Sequence, residues 1–194
     1  MNNVDFNSFY ESLERCPVMA CITDPEHLAD SKSCNCEIAD ILYGDICTIA
    51  DIVDAVIANG MIPIVHIDLI NGLASREISV DFINKYTNAA GIISTKPHLI
   101  KRGNELGLIT IQRFFMLDQL NYNNIKKHVK ESSPDFVEVM PAGLAKMIEY
   151  VKEEVNDRPL IASGLVTEKS IVTNALSAGA LAIATSNRAI WKEM

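Results

Sequence analysis

The sequence predicts an α/β fold, a compact single-domain (β/α)8 TIM-type barrel formed by residues 1–194. Three observations lead there. Eight short apolar runs alternate with amphipathic helical stretches, several runs are apolar at almost every position, and no linker rich in Pro, Gly or Ser marks a seam. Parallel strands sandwiched between a core and a layer of helices are covered on both faces. They therefore read as continuous apolar runs, whereas half-exposed antiparallel strands alternate.

The runs occupy 18–23, 38–43, 62–68, 91–95, 108–113, 136–140, 160–163 and 181–185. IPIVHI, LITI, LIAS and LAIA are the near-continuous ones. After the second run a helix opens at Thr48, carries apolar residues at helical spacing and stops at Gly60. Asn104-Glu105-Leu106-Gly107 ends the helix before the fifth run in the same way. Thr167 opens another helix, which closes at Ala178-Gly179. Neither GxGxxG nor GxxxxGK[ST] follows the first run, so a closed barrel is favoured over an open doubly wound nucleotide-binding sheet.

Composition bounds the function. The chain is 48% hydrophobic and 22% charged, enough apolar material for a sizeable core. No apolar stretch is long enough to span a membrane, and the start lacks the basic-then-apolar layout of a signal peptide, so a cytoplasmic protein is expected. Cys16, Cys21, Cys34, Cys36 and Cys47 are odd in number and lack CxxC spacing, which points to reduced thiols and no metal site. A net charge of −8 argues against indiscriminate attraction to nucleic acid. It leaves room for a local basic patch, for which Lys96 to Arg102 and Lys126 to Lys130 are the candidates.

In a parallel barrel the chemistry gathers at the C-terminal strand ends. His66 and Asp68 share strand parity and are expected to face the same way; Ser94-Thr95-Lys96, Gln112-Arg113 and Glu138 with Pro141-Ala142-Gly143 follow on the next ends. The seventh run enters Ser163-Gly164-Leu165-Val166-Thr167 and the eighth Thr185-Ser186-Asn187. A glycine turn beside a helix start lets main-chain N–H groups approach an anion closely, and loops seven and eight are the usual barrel phosphate site. A phosphate there, with Lys96 or Arg113 adding charge, is the expected ligand group. His66, Asp68 and Glu138 could alternatively serve as an acid–base set on a triose or sugar phosphate, as in isomerases and aldolases. No nucleophile motif accompanies them, so catalysis is the weaker reading and no catalytic residue is assigned.

These strand ends also carry a resemblance. Leu42-Tyr43-Gly44-Asp45-Ile46, His66-Ile67-Asp68-Leu69-Ile70-Asn71-Gly72-Leu73, Gly91-Ile92-Ile93-Ser94-Thr95-Lys96 and Gln112-Arg113-Phe114-Phe115-Met116-Leu117-Asp118 resemble the glycerol-3-phosphate-responsive antiterminators. So do Pro134 to Pro141, Ser163-Gly164-Leu165 and Thr185-Ser186-Asn187 with Trp191. Two departures stand out: Ala142 is inserted between Pro141 and Gly143, and Ser163 replaces the first glycine of a Gly-Gly-Leu. The resemblance implies a non-catalytic sensor that binds glycerol 3-phosphate, needs no cofactor, and acts on leader mRNA of glycerol-utilisation genes so that transcription passes a terminator. It implies ligand contacts from His66, Asp68, Lys96, Gln112, Arg113, Glu138, Gly143, Ser163, Gly164, Thr185, Ser186 and Asn187. RNA would meet Lys96, His98, Lys101 and Arg102, either on one chain or pooled in a homo-oligomer.

Overall fold

The eight apolar runs become eight parallel strands: β1 (Val18–Ile22), β2 (Ile38–Ile41), β3 (Ile62–His66), β4 (Gly91–Ser94), β5 (Ile109–Phe115), β6 (Phe136–Met140), β7 (Leu160–Ser163) and β8 (Ala182–Thr185). They pair in sequence order, and β8 closes on β1 with Val18 beside Ile183 and Ala20 beside Thr185. This is a computed structural model that describes residues 4–155 and 158–193; the remaining residues of the predicted 1–194 domain lie outside that description. Helix α1 (Phe6–Arg15) precedes the barrel. Helices α2 (Pro25–Asp30), α3 (Ile49–Ala58), α4 (Glu77–Tyr86), α5 (Pro97–Glu105), α6 (Gln119–Ser132), α7 (Ala145–Glu154), α8 (Lys169–Ser177) and α9 (Arg188–Glu193) follow successive strands.

Strand alternation separates two apolar layers. Outward residues such as Ala20, Ile41, Val65, Ile92, Val139 and Ile183 pack against the helices. Inward residues Met19, Ile38, Ile64, Ile109, Phe136 and Ile161 fill the lower barrel together with Phe9 and Leu13 from α1. The α1 helix, capped by Asp5 accepting from the Ser8 N–H at 2.8 Å, thus plugs the N-terminal mouth, with Phe9 edge-on to Phe136 at 5.0 Å. The barrel interior is thereby closed at its N-terminal end. The sequence reading did not foresee this plug, because a lone amphipathic helix before the first strand carries no barrel signal.

Local expectations hold with small shifts. Gly60, Gly107 and Gly179 follow their helices at φ +84, +74 and +102, conformations that favour glycine. Thr48 sits at the N-cap of α3 but makes no capping bond; its hydroxyl and N–H are taken by Asp45 at 3.0 Å each. The helix predicted to open at Thr167 begins at Lys169, with Glu168 as its N-cap. The third strand ends at His66 rather than Asp68, because residues Ile67–Leu69 coil into a 3-10 turn.

Candidate functional site

Above the apolar layer, the inward positions turn polar. Asp40, Arg113 and Glu138 continue the inward rows begun by Ile38, Ile111 and Phe136, and Arg113 and Glu138 are register partners. The Arg113 guanidinium grips Glu138 with two bonds, Nε to Oε2 at 2.6 Å and a terminal nitrogen to Oε1 at 3.0 Å, and reaches Asp40 Oδ2 at 3.0 Å. All three are nearly sealed, at 6%, 1% and 0% exposure for Arg113, Glu138 and Asp40. Burial disfavours the charged guanidinium, but the two carboxylates outweigh it and hold Arg113 above its ordinary range. Burial drives Asp40 the other way, up to about 7, with Glu138 adding to the push and Arg113 opposing it. One cation thus faces two acids, of which Asp40 keeps its proton well into the neutral range.

His66 stands beside this cluster with Nδ1 buried and unpartnered. Burial, then the Arg113 charge, push it down to about 4, so the imidazole is neutral near pH 7. Asp68 is elsewhere. The 3-10 turn breaks the parity that would have aligned it with His66, and its carboxylate instead accepts from the Thr95 N–H and hydroxyl at 2.8 Å each and from Ser94 Oγ at 2.9 Å. Burial opposes ionisation there, yet these bonds hold Asp68 below its usual value. Lys96 joins it at 3.6 Å, so the Lys96 charge is directed at Asp68.

A cavity of about 560 Å³ opens at the C-terminal mouth over strands β7, β8 and β1. Its floor is Arg113 and Cys21, and its walls are Ser163, Gly164 and Thr167 from one loop and Thr185, Ser186 and Asn187 from the next. The two loops are tied together: Asn187 Nδ2 donates to Thr167 O at 3.1 Å, and Thr185 Oγ1 to Val166 O at 3.4 Å. Trp191 anchors the second loop from below, its Nε1 donating to Thr185 O at 2.7 Å. Gly164 lies at φ +77, and a Cβ there would meet Met140 Cε at 2.6 Å. Ser163 Oγ is buried without a partner and lines the cavity, so the Ser163 departure leaves a hydroxyl unsatisfied at this wall. A second hollow of about 670 Å³ sits among Ile57, Met61, Pro63 and Leu108 at the opposite end of the barrel. Asp54 is the one charged side chain lining it among the described residues, a poor match for an anion.

The expected site residues therefore divide. Ser163, Gly164, Thr185, Ser186, Asn187 and Arg113 share one cavity. Glu138 stands behind Arg113, and His66 beside the same cluster. Gln112 is corrected: it faces outward, with no exposure, and its Oε1 accepts from Ser132 Oγ on α6. Gly143 is exposed and outside the cavity lining; the inserted Ala142 is the buried residue, its N–H donating to Ser163 O at 2.7 Å and tying this loop to β7. Lys96 is also absent from the lining. Of the basic patch, His98 and Lys101 are exposed, whereas Arg102 is engaged by Asp81 at 2.6 Å and Glu105 at 2.9 Å. Asp40 and Cys21 were missed. The available signal was an acid and a thiol at inward parity inside IADI and VMACI, the same logic that singled out Glu138.

Comparison with known proteins places the chain in a family. The family described as glycerol-3-phosphate responsive antiterminator matches residues 18–191. The chain belongs to this family. It is 36% identical over 179 residues to the uncharacterized protein YgcP of Escherichia coli (strain K12), covering 92% of this chain and 93% of that one. A glycerol uptake operon antiterminator-related protein of Thermotoga maritima is 26% identical with a TM-score of 0.80, covering 90% of this chain and 96% of that one. The glycerol uptake operon antiterminator regulatory protein of Listeria monocytogenes shares the fold at a TM-score of 0.88 and 24% identity, covering 92% and 96%. Ala142 and Ser163, which the resemblance marked as departures, are joined by the Ala142 N–H to Ser163 O bond at 2.7 Å, and Ser163 lines the cavity.

Proposed function

We propose that this antiterminator-family barrel is a non-catalytic sensor that binds glycerol 3-phosphate at the C-terminal mouth. Binding then acts in the cytoplasm on leader mRNA of glycerol-utilisation genes, letting transcription pass a terminator. One observation carries the ligand reading: the Gly164 and Ser186 loops, hydrogen-bonded to each other, wall a single cavity of about 560 Å³ that also offers the unsatisfied Ser163 hydroxyl. That volume suits a small polyol phosphate. The phosphate contacts the Gly164 and Ser186 main chain with the Ser163 and Thr167 hydroxyls, and the polyol end lies over Arg113. Because Glu138 and Asp40 already occupy the guanidinium, Arg113 serves as a fixed donor surface more than as a free charge. No cofactor is required.

An enzyme reading finds less support. Its acid–base set is divided, since Asp68 bonds the Thr95 turn, Glu138 is clamped by Arg113, and His66 is neutral and away from the cavity lining. No lysine is buried among the described residues to act as a desolvated nucleophile. RNA contact is assigned to Lys96, His98 and Lys101 on the rim, with Arg102 held back by its acidic partners.

Calorimetric titration with glycerol 3-phosphate tests the ligand site. We expect saturable binding, no comparable binding of glycerol, and a rise in melting temperature that grows with ligand concentration. Gly164→Asp should abolish binding, because it sets a carboxylate where the phosphate sits. The fold should survive with some loss of stability, since the flexible end of Met140 can give way but φ +77 strains any side chain. Unchanged affinity in that variant would remove the site assigned here, and turnover of a triose phosphate would favour the enzyme.

A further inference from the structure

The C-terminal rim presents large apolar side chains to solvent. Leu117 and Leu165 are 79% and 77% exposed, and Phe115, Leu120 and Leu144 are exposed as well. All five lie on the segments around the ends of β5, β6 and β7, three neighbours in the barrel order. Main-chain bonds stitch these segments edge to edge. The Met116 N–H donates to Met140 O at 2.8 Å, and the Ala142 N–H donates to Ser163 O at 2.7 Å and to Gly164 O at 3.2 Å. Leu117, Leu144 and Leu165 each stand within two residues of a stitch, and Leu120 opens α6 beside them. Phe115 is the register partner of Met140, one inward step above the Arg113–Glu138 pair. The arc therefore begins at the lip of the ligand cavity, which Met140 and Leu165 line. We propose that this apolar arc is a homodimer interface, covered by a second copy of this chain.

The area matches what such a dimer needs. At roughly 150–200 Å² for a wholly exposed side chain of this size, the five leave roughly 500–600 Å² of apolar surface open. That is the upper end of the about 300–600 Å² found for the largest patch on a typical monomer. A standard interface buries about 800 Å² per partner, of which about two-thirds is apolar in homodimers. The arc alone supplies that apolar share. Charge then selects the partner. Residues 115–120, 140–146 and 164–168 carry Asp118, Lys146 and Glu168 as their charged side chains. Lys146 is held by Glu149 at 2.7 Å, and Asp118 caps α6 by accepting from the Asn121 N–H at 2.9 Å. Such a face has no free row of cations to draw RNA or an anionic lipid surface. Two chains of −8 each can meet there without opposing rows of like charge, and an apolar arc is its own complement about a two-fold axis.

The backbone at Leu165 agrees with a covered role. Leu165 lies at φ +56, directly after Gly164 at φ +77, in a region uncommon for a bulky residue. There the turn spends local strain on holding a leucine out toward solvent, and a partner that covers the side chain accounts for it. Leu165 also links the dimer to the ligand, a step that rests on the ligand reading above. Because Leu165 and Met140 line the cavity, a second copy seated on the arc narrows its open side. Polar contacts strengthen where water is shut out, so ligand and second copy favour one another, each by the same factor.

Sedimentation equilibrium of the full chain over a concentration series tests the interface. The single-chain mass of 21.4 kDa should give way to twice that mass as concentration rises. Leu117→Lys and Leu165→Lys each bring like charges together across the contact and should weaken the dimer at least about tenfold. Both side chains are largely exposed, so circular dichroism should show each variant folded. Ile78→Lys changes an exposed apolar residue on α4, outside the arc, and should leave the dimer constant unchanged. A monomer at every concentration, or an assembly that survives both arc substitutions, overturns the proposal. Weaker leader-RNA binding by the arc variants with no change in mass would assign the face to RNA and also overturn it. Repeating the series with glycerol 3-phosphate reads the coupling. A several-fold tighter dimer supports it, and an unchanged dimer constant beside calorimetric ligand binding sinks the coupling alone. Absence of ligand binding counts against the ligand site, and the ligand-free series still decides the dimer.

Discussion

Asp40 and His66 have opposite titration shifts inside one barrel, and this gives a pH signature. Asp40 titrates at about 7 when folded and about 4 when unfolded, so between those values the folded state keeps a proton the unfolded chain has lost. Its contribution to stability therefore falls as pH rises through that window. His66 titrates at about 4 when folded against about 6.5 unfolded, so there the unfolded chain holds the extra proton and stability rises with pH. The two slopes, each up to about 1.4 kcal/mol per pH unit, oppose one another. Asp40→Asn should uncover the rising slope, and His66→Gln the falling one. Denaturant melts of each variant against wild type from pH 4 to 7 measure the differences; parallel curves would reject both assignments. Arg113→Met goes further, leaving Glu138 and Asp40 buried and unpaired, and should cost about 3–5 kcal/mol in the same assay.

Elements decide which polar residues can meet a ligand. Gln112 and Arg113 are adjacent in sequence, and both were legible as polar groups near a strand end. Only inward parity, fixed by the barrel register, separates the residue that faces the cavity from the one that locks α6 to β5. The seventh and eighth loops were readable as turns into helices, because glycine, serine and threonine favour tight turns and helix starts. Asp68 was misplaced because nothing in HIDL announces that the strand ends one residue after Val65 and coils. The outward role of Gln112 has a direct consequence. Gln112→Leu should leave glycerol 3-phosphate affinity unchanged in calorimetry while changing stability by no more than about 1 kcal/mol, because Ser132 Oγ keeps His128 O at 2.7 Å and the unpartnered Gln112 Nε2 goes with the lost bond. A large loss of affinity would return Gln112 to the ligand shell.

At the scale of the whole molecule, charge restricts how such a barrel could hold RNA. The chain carries −8, Arg102 is neutralised by Asp81 and Glu105, and Lys126 and Lys127 pair with Glu154 and Glu131. On the α5 rim the cation without a printed acidic partner is Lys101, with partial help from Lys96, which faces Asp68, and from Arg102. For a single strand the slope of log affinity against log salt is about −0.7 per phosphate neutralised, so one chain should give a slope no steeper than about −2. A homo-oligomer that pools two such rims should give one no steeper than about −4. Lys101→Ala should weaken RNA binding and flatten the slope by about 0.7 per chain without altering ligand affinity, since Lys101 lies outside the cavity lining. Filter binding of leader RNA across a salt series, with glycerol 3-phosphate present, gives both numbers. A slope much steeper than −4 would require a cationic surface other than the α5 rim, and a slope near zero would mean that RNA is not held through phosphate contacts here.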